Sequence, residues 1–271
     1  MIIEANCKIN IGLDVLRRRR DGYHEIETVM YPVRRLCDRV SVEKNGLDRS
    51  RLTVKGLAVD CADEDNLCLK AAAIMSEEYG TGGVDIVLEK RIPFGAGLGG
   101  GSSDAVAVIN AVDSLFGLKM TLKQKSAVAA RLGSDTVFFV RNTPQLCKGR
   151  GDIVKPLDLS LAGMALVIAK PDEGVSTREA YSGITPATPY LPLSEAIMRP
   201  ATQWRGSVKN DFEIPIFNTH PRIAALKSAM YARGALYASM SGSGSAVFGL
   251  FDSMVDFAAP FEGVFVHSEI L

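Results

Sequence analysis

Twelve consecutive residues concentrate the chemistry of this chain. Pro93-Phe94-Gly95-Ala96-Gly97-Leu98-Gly99-Gly100-Gly101-Ser102-Ser103-Asp104 carries five glycines within the seven positions 95–101. Glycine reaches positive φ and lets backbone N–H groups approach an anion with no Cβ in the way, and a following helix aims its positive end at the same spot. The pattern predicts a phosphate cradle, and so a ligand held by its phosphates.

The elements on either side must position that cradle. Val84, Ile86 and Leu88 alternate with polar neighbours as in a half-buried strand. After the glycines, Ala105, Val106, Val108, Ile109, Val112, Leu115 and Phe116 recur at helical spacing. Ser102, Ser103 and Asp104 are suitable caps for this helix, and Gly117 suits its end. A flexible linker has no need to join two packed elements so tightly.

Elsewhere the regions Ile2 to Leu16, Thr28 to Val33, Asp38 to Glu43 and Arg51 to Val54 read as strands. Helices are expected from Asn66 to Tyr79, ending at Gly80, from Thr121 to Leu132, stopped by Gly133, and from Pro221 to Arg233. Ser134-Asp135-Thr136 lies in a turn before the apolar run Val137 to Val140, a place where a side chain can face a cleft. Met164 to Ala169 and Ala246 to Phe251 read as strands, the second preceded by the glycine-serine turn Ser239 to Ser245. Pro171 to Pro200, rich in Pro, Thr and Ser, reads as irregular crossings near a domain boundary. Strands and helices in both halves, without regular βαβ alternation, predict an α+β protein.

At 271 residues two domains are favoured over one. Lys and Arg total 31 and Asp and Glu total 31, so the chain lacks the electrostatic footprint of a nucleic-acid binder. Arg17 to Arg20, beside Asp21 and Gly22, reads as a solvated turn. The five cysteines are odd in number and contain no Cys-x-x-Cys pair, which argues against a disulfide framework or a zinc site. Glu4 and Lys8 fall where a signal peptide needs apolar residues, and no run reaches ~18 apolar residues. No membrane association and a cytoplasmic location are expected.

Several phosphate-binding classes can then be compared. Gly95-x-Gly97-x-x-Gly100 satisfies the dinucleotide pattern, but that pattern requires a second strand ending in an acid ~20 residues on, and a second helix follows here. A Walker A loop fails because no Gly-Lys-Ser/Thr follows the glycines. The protein-kinase sequences His-Arg-Asp and Asp-Phe-Gly do not occur.

The loop resembles that of the GHMP small-molecule kinases. Lys8-Ile9-Asn10, Arg20-Asp21-Gly22-Tyr23-His24-Glu25, Asp65-Asn66-Leu67, Leu132-Gly133-Ser134-Asp135 and Ser241-Gly242-Ser243-Gly244 follow in that family's order, so the resemblance spans essentially the whole chain. Asp21-Gly22-Tyr23-His24 is similar to the branch that acts on a cytidine diphosphate-linked methylerythritol in non-mevalonate isoprenoid synthesis. A homoserine, galactose or mevalonate-type kinase would keep the loop and discard that segment. An NAD-dependent oxidoreductase has only the weak glycine pattern behind it, and a non-catalytic nucleotide- or RNA-binding module is disfavoured by the neutral charge.

The resemblance implies a two-domain α+β fold, with a ribosomal-protein-like N-terminal domain over 1–158 and a ferredoxin-like C-terminal domain over 159–271. It implies transfer of the γ-phosphoryl of ATP to a tertiary hydroxyl, which needs positioning and charge neutralisation more than covalent chemistry. Pro93, Phe94, Gly95, Ala96, Gly97, Leu98, Gly99, Gly100, Gly101, Ser102 and Ser103 would hold the phosphates, with Mg²⁺ offsetting their charge through ligands that the sequence does not identify. Asn66 and Lys90 match positions near the adenosine. Asp135 matches the catalytic aspartate, which accepts or orients the hydroxyl proton, and Lys8 would sit beside it to stabilise the developing negative charge. Asn10 would help place the sugar alcohol. Tyr23 would stack on the cytosine while His24 hydrogen-bonds its edge, with Tyr181 on the other face. A monomer or weak homodimer is implied. Two departures flank this chemistry: Cys7 stands where the family usually has Ala, and Thr136-Val137 where it has Val-Pro.

Overall fold

The computed structural model describes residues 1–271, the side chain of Asp63 excepted. In chain order the elements are β1 (Ile2–Arg18), β2 (His24–Lys44), β3 (Arg51–Gly56), α1 (Leu67–Tyr79), β4 (Val84–Lys90), α2 (Gly100–Phe116), α3 (Leu122–Leu132), α4 (Thr136–Arg141), β5 (Gln145–Gly149), β6 (Ile153–Pro156), β7 (Ala165–Pro171), α5 (Thr177–Ser182), α6 (Leu193–Ala196), α7 (Glu213–Thr219), α8 (Pro221–Ala232), β8 (Tyr237–Met240), β9 (Val247–Phe251) and β10 (Val264–Ile270). The expected α+β class holds. The two short strands expected at Thr28 to Val33 and Asp38 to Glu43 are instead one strand, β2, of 21 residues. Arg34 and Arg35, which lie between the two expected strands, are exposed positions of a strand that simply continues.

The chain divides into two compact units. Unit 1 comprises 1–7, 34–94 and 99–143; unit 2 comprises 8–33, 95–98 and 144–271. Strands β1 and β2 each contribute one part to each unit.

In unit 1, β3 runs parallel to β4 from Arg51↔Asp85 to Gly56↔Lys90, and β4 runs antiparallel to the C-terminal part of β2 from Arg39↔Glu89 to Lys44↔Val84. Helix α2 buries Ala105, Val106, Ala107, Val108, Ile109, Ala111 and Val112 and packs on α1. Each helix is closed by local chemistry. Asn66 accepts from the Cys68 N–H at the start of α1, Thr121 and Gln124 form a reciprocal capping box on α3, and Gly80 and Gly117 take the left-handed conformation that ends α1 and α2.

The start of α2 corrects the sequence reading. The helix begins at Gly100 with Gly99 as its N-cap, so Ser102, Ser103 and Asp104 lie inside the first turns. A positive φ at Gly99 turns the chain into the helix without a side-chain cap, an option that a serine lacks. The run Val137 to Val140 belongs to the short helix α4, whose first residue, Thr136, is fully buried.

Unit 2 holds a four-stranded antiparallel sheet in the order β10-β7-β9-β8. All seven residues of β7 are buried, as suits a central strand covered on both faces. Helix α8 packs on β7, β8 and β9, and its Ile223, Leu226 and Met230 share a core with Val167, Ala169, Val247 and Phe251. The N-terminal part of β2 pairs with β5, and β5 with β6. These two strands, like β8, β10 and α7, had no clear sequence signal.

Candidate functional site

The glycine segment is shared between the units, and each part has its own support. In unit 2, Gly95 and Gly97 adopt φ of 61° and 71° while Ala96 and Leu98 between them are buried. A second turn underpins this stretch: the Ala246 N–H donates to the Ala96 carbonyl at 3.2 Å and the Ser245 N–H to that of Gly95 at 3.4 Å. A Cβ on Gly97 would collide with the Ser241 carbonyl oxygen, so this glycine is required by close backbone approach as well as by its φ.

Lys8 is buried on β1, with 2% of its surface exposed. Its Nζ donates to Asn10 Oδ1 at 2.5 Å and to the Gly97 carbonyl at 2.7 Å. Its own backbone N–H donates to the Leu98 carbonyl at 2.9 Å. Lysine is almost never buried without partners, so this arrangement fixes an ammonium against the glycine segment. The Asn10 amide is committed at both ends, since its Nδ2 donates to Thr28 Oγ1 at 3.0 Å. Asn10 thus orients Lys8.

The aromatic residues gather elsewhere in unit 2. The rings of His24 and Tyr181 stack with centroids 4.7 Å apart and planes 15° apart, and Phe212 presents an edge to Tyr181 at 4.8 Å. The sequence reading put a base between Tyr181 and the Tyr23-His24 pair. With His24 and Tyr181 already in contact, a base would stack onto the pair or part it. Tyr23 is exposed, and the Arg150 guanidinium lies 4.8 Å over its ring. Burial, and then the charge of Arg18, hold His24 below its ordinary 6.5, so its ring is neutral at pH 7 with one N–H and one lone pair.

In unit 1, Gly99 to Ser103 form the N-cap and first turn of α2. The N–H groups of Gly100, Gly101 and Ser102 have no acceptor within the helix and point out of its positive end. Beneath them lies a buried ionic cluster. Lys90 Nζ bonds the Asp38 carboxylate and donates to Asp104 Oδ2 at 2.9 Å, while Asp38 Oδ1 accepts from the N–H groups of Arg91 and Ile92 at 2.6 and 2.8 Å. A Cβ on Gly100 would stand 3.2 Å from Lys90 Nζ and 3.3 Å from Asp38 Oδ2, so α2 starts directly on this cluster.

One cation serves two carboxylates there. Burial, opposed by Lys90 and reinforced by Asp38, pushes the Asp104 carboxyl up to about 7, and its Oδ1 has no partner among the described residues. Burial would lower Lys90, but Asp104 and Asp38 outweigh it and hold the ammonium above its usual value.

Asn66 uses its Oδ1 to cap α1. Asp135 directly precedes α4 in a half-buried position, and its side chain does not cap that helix. Lys8 belongs to unit 2 and Asp135 to unit 1. Phe94 is exposed and Pro93 half-buried at the entry to the glycines. Of the residues that support this arrangement, Ser241 fell within a recognised turn. Thr28, Asp38 and Asn210 carried no signal, because a lone polar residue in a strand or loop reads as surface. The Asn210 Nδ2 donates to the carbonyls of Met240 and Gly242, both at 2.8 Å, and so shapes the second turn.

Comparison with known proteins adds names to this geometry. Residues 66–142 match the model of the GHMP kinases N terminal domain, and residues 194–258 that of the GHMP kinases C terminal. A 4-diphosphocytidyl-2-C-methyl-D-erythritol kinase of Parabacteroides distasonis is 45% identical over 95% of this chain and 94% of its own. One of Bacteroides fragilis is 42% identical over 96% of this chain and 97% of its own. A crystal structure of a 4-(cytidine 5'-diphospho)-2C-methyl-D-erythritol kinase superimposes with a TM-score of 0.78 at 37% identity, covering 93% of this chain and 91% of that one.

Proposed function

We infer the activity from a plain premise, that the chain belongs to the GHMP kinase family: it transfers the γ-phosphoryl group of ATP to the 2-hydroxyl of 4-diphosphocytidyl-2-C-methyl-D-erythritol. The products are the 2-phosphate and ADP, in the methylerythritol phosphate route to isoprenoids. The observation that carries most weight is the buried Lys8 ammonium, whose Nζ donates to the Gly97 carbonyl of the glycine segment.

The ATP phosphates are held by the backbone of Pro93 to Ser103, where αL glycines and the open N–H groups of α2 suit an anion. Asn66 and Lys90 complete the nucleotide side, Lys90 by pairing with the carboxylates under Gly100. Lys8 stabilises the charge that develops on the transferred group, and Asp135 accepts or orients the hydroxyl proton for in-line attack. Asn10 keeps Lys8 in place beside the sugar alcohol. The neutral His24 ring reads the cytosine edge as donor and acceptor, supported by Tyr23 and Tyr181.

Mg²⁺ fits this chain as an ion that arrives with the nucleotide. Among the described residues no cluster of three or more His, Cys, Asp or Glu is placed to hold a metal. Mg²⁺ characteristically takes few protein ligands and relies on phosphate oxygens and water. The half-exposed Ser102 hydroxyl in the first turn of α2 is suited to it, and the ion would neutralise phosphate charge. The division into 1–158 and 159–271 carries over from the family, as does a monomer or weak homodimer. Five free thiols suit a reducing cytoplasm.

The deciding experiment incubates the protein with ATP, Mg²⁺ and the cytidine diphosphate methylerythritol and looks for ADP and the 2-phosphorylated product in equal amounts. Folded protein that gives neither would overturn the assignment.

A further inference from the structure

His220 lies between two carboxylates in unit 2. Its Nδ1 is 3.1 Å from Glu173 Oε2 and its Nε2 is 2.8 Å from Glu179 Oε1. Glu173 follows β7, whereas Glu179 is on α5. A neutral imidazole owns one N–H, so it can hold one of these carboxylates while it turns a lone pair to the other; only the imidazolium donates to both.

Each glutamate leads towards the proposed site. Glu179 lies on the same short helix as Tyr181, the ring that stacks on His24. The Glu173 carbonyl accepts from Ser245 Oγ at 2.6 Å, and Ser245 in turn contacts Gly95. The ring therefore ties the helix under Tyr181 to the segment that supports the glycines.

We infer that His220 is a positioning residue for the cytidine substrate, which as an imidazolium pins α5 and Tyr181 and on losing its proton releases one glutamate. This rests on the kinase activity proposed above. Bonds to Glu179 and then Glu173 hold the ring above its ordinary 6.5. The clamp is thus complete below that value and is lost as pH rises through the raised one. The neighbouring charges are otherwise engaged: Asp172 pairs with Arg222, Lys170 donates to the carbonyls of Pro171 and Glu173, and Glu213 on α7 pairs with Lys227.

The test uses the full chain as wild type, His220→Ala and Glu179→Gln. KM for the cytidine substrate and for ATP is measured from pH 6 to 9, together with hydrogen exchange of residues 176–183 in the unliganded protein. In the wild type, KM for the cytidine substrate should rise on the order of tenfold towards alkaline pH, with KM for ATP and kcat steady. His220→Ala should show the high value at every pH and faster exchange in 176–183. Glu179→Gln removes one of the charges that stabilise the imidazolium but keeps a hydrogen-bonding group, so the midpoint should move to lower pH. A flat wild-type profile, or equal rises in both KM values, overturns the role in substrate positioning. Exchange that His220→Ala leaves unchanged overturns the clamp whatever the turnover, whereas absence of all turnover in the wild type counts against the kinase assignment.

Discussion

The Ser241 hydroxyl donates to the Gly97 carbonyl oxygen at 2.8 Å, beside the bond that the same oxygen accepts from Lys8. Two glycine-rich turns, 144 residues apart in sequence, therefore share one acceptor. Gly97→Ala would force a Cβ into the Ser241 carbonyl at a φ of 71°, breaking both contacts. Backbone strain of this kind costs roughly 1–3 kcal/mol, and the displaced loop should lose on the order of 10²-fold in kcat/KM for ATP. Calorimetric titration with ATP, alongside initial rates, checks this; near-normal ATP affinity would show that the loop does not depend on its contact with Ser241.

Asp135→Asn keeps the shape of the side chain and removes its charge. If Asp135 accepts or orients the hydroxyl proton, the variant loses ~10²–10⁴-fold in kcat while ATP affinity is nearly intact. Single-turnover rates measured with both substrates saturating isolate the chemical step. Near-normal turnover would remove Asp135 from the mechanism.

The sequence made some of this site legible and hid the rest for identifiable reasons. Gly95, Gly97 and Gly99 could be read because positive φ and close approach leave a composition that nothing else requires, and α1 and α3 because Asn66, Gly80, Thr121 and Gly133 mark their ends. The serines after the glycines misled, because capping propensity is local whereas Gly99 opens the helix through its backbone. Lys90 resembled a nucleotide contact. Its carboxylate partners, Asp38 and Asp104, lie 52 and 14 residues away, and no local pattern announces such a pairing. His220 was unreadable for the same reason: Glu173 and Glu179 meet it only once α5 and α8 are folded together.

His24 gives the substrate site an acid limit. Burial and Arg18 keep its ring neutral until the pH falls below 6.5, and a charged ring loses the lone pair that accepts from the base. KM for the cytidine substrate should therefore rise on acidification, while KM for ATP stays flat. His24→Ala should raise KM for the cytidine substrate by about tenfold or more and abolish that acid rise. Equal effects on the two substrates would place His24 outside the cytidine site.

Asp104 offers a prediction about stability in which removing a charge strengthens the fold. Among the described residues Lys90 is the cation that pairs with both Asp38 and Asp104, all three being buried, and the Asp104 carboxyl is raised from 3.8 to about 7. A folded state with the higher pKa binds a proton that the unfolded chain gives up, so stability contributed here is complete below 3.8 and declines as pH rises towards about 7. Above that window the fold carries an excess buried negative charge. In Asp104→Asn the amide oxygen can still accept from Lys90 at the Oδ2 position, and the side chain does not ionise. The variant should match the wild type near pH 4 and exceed it at pH 8 by roughly 1–3 kcal/mol, a Tm gain of several degrees for a chain of this size. Calorimetric Tm values for both proteins from pH 4 to 8.5 test this. A variant less stable than the wild type at pH 8 would mean that Asp104 is held there in its ionised form as an integral partner of Lys90.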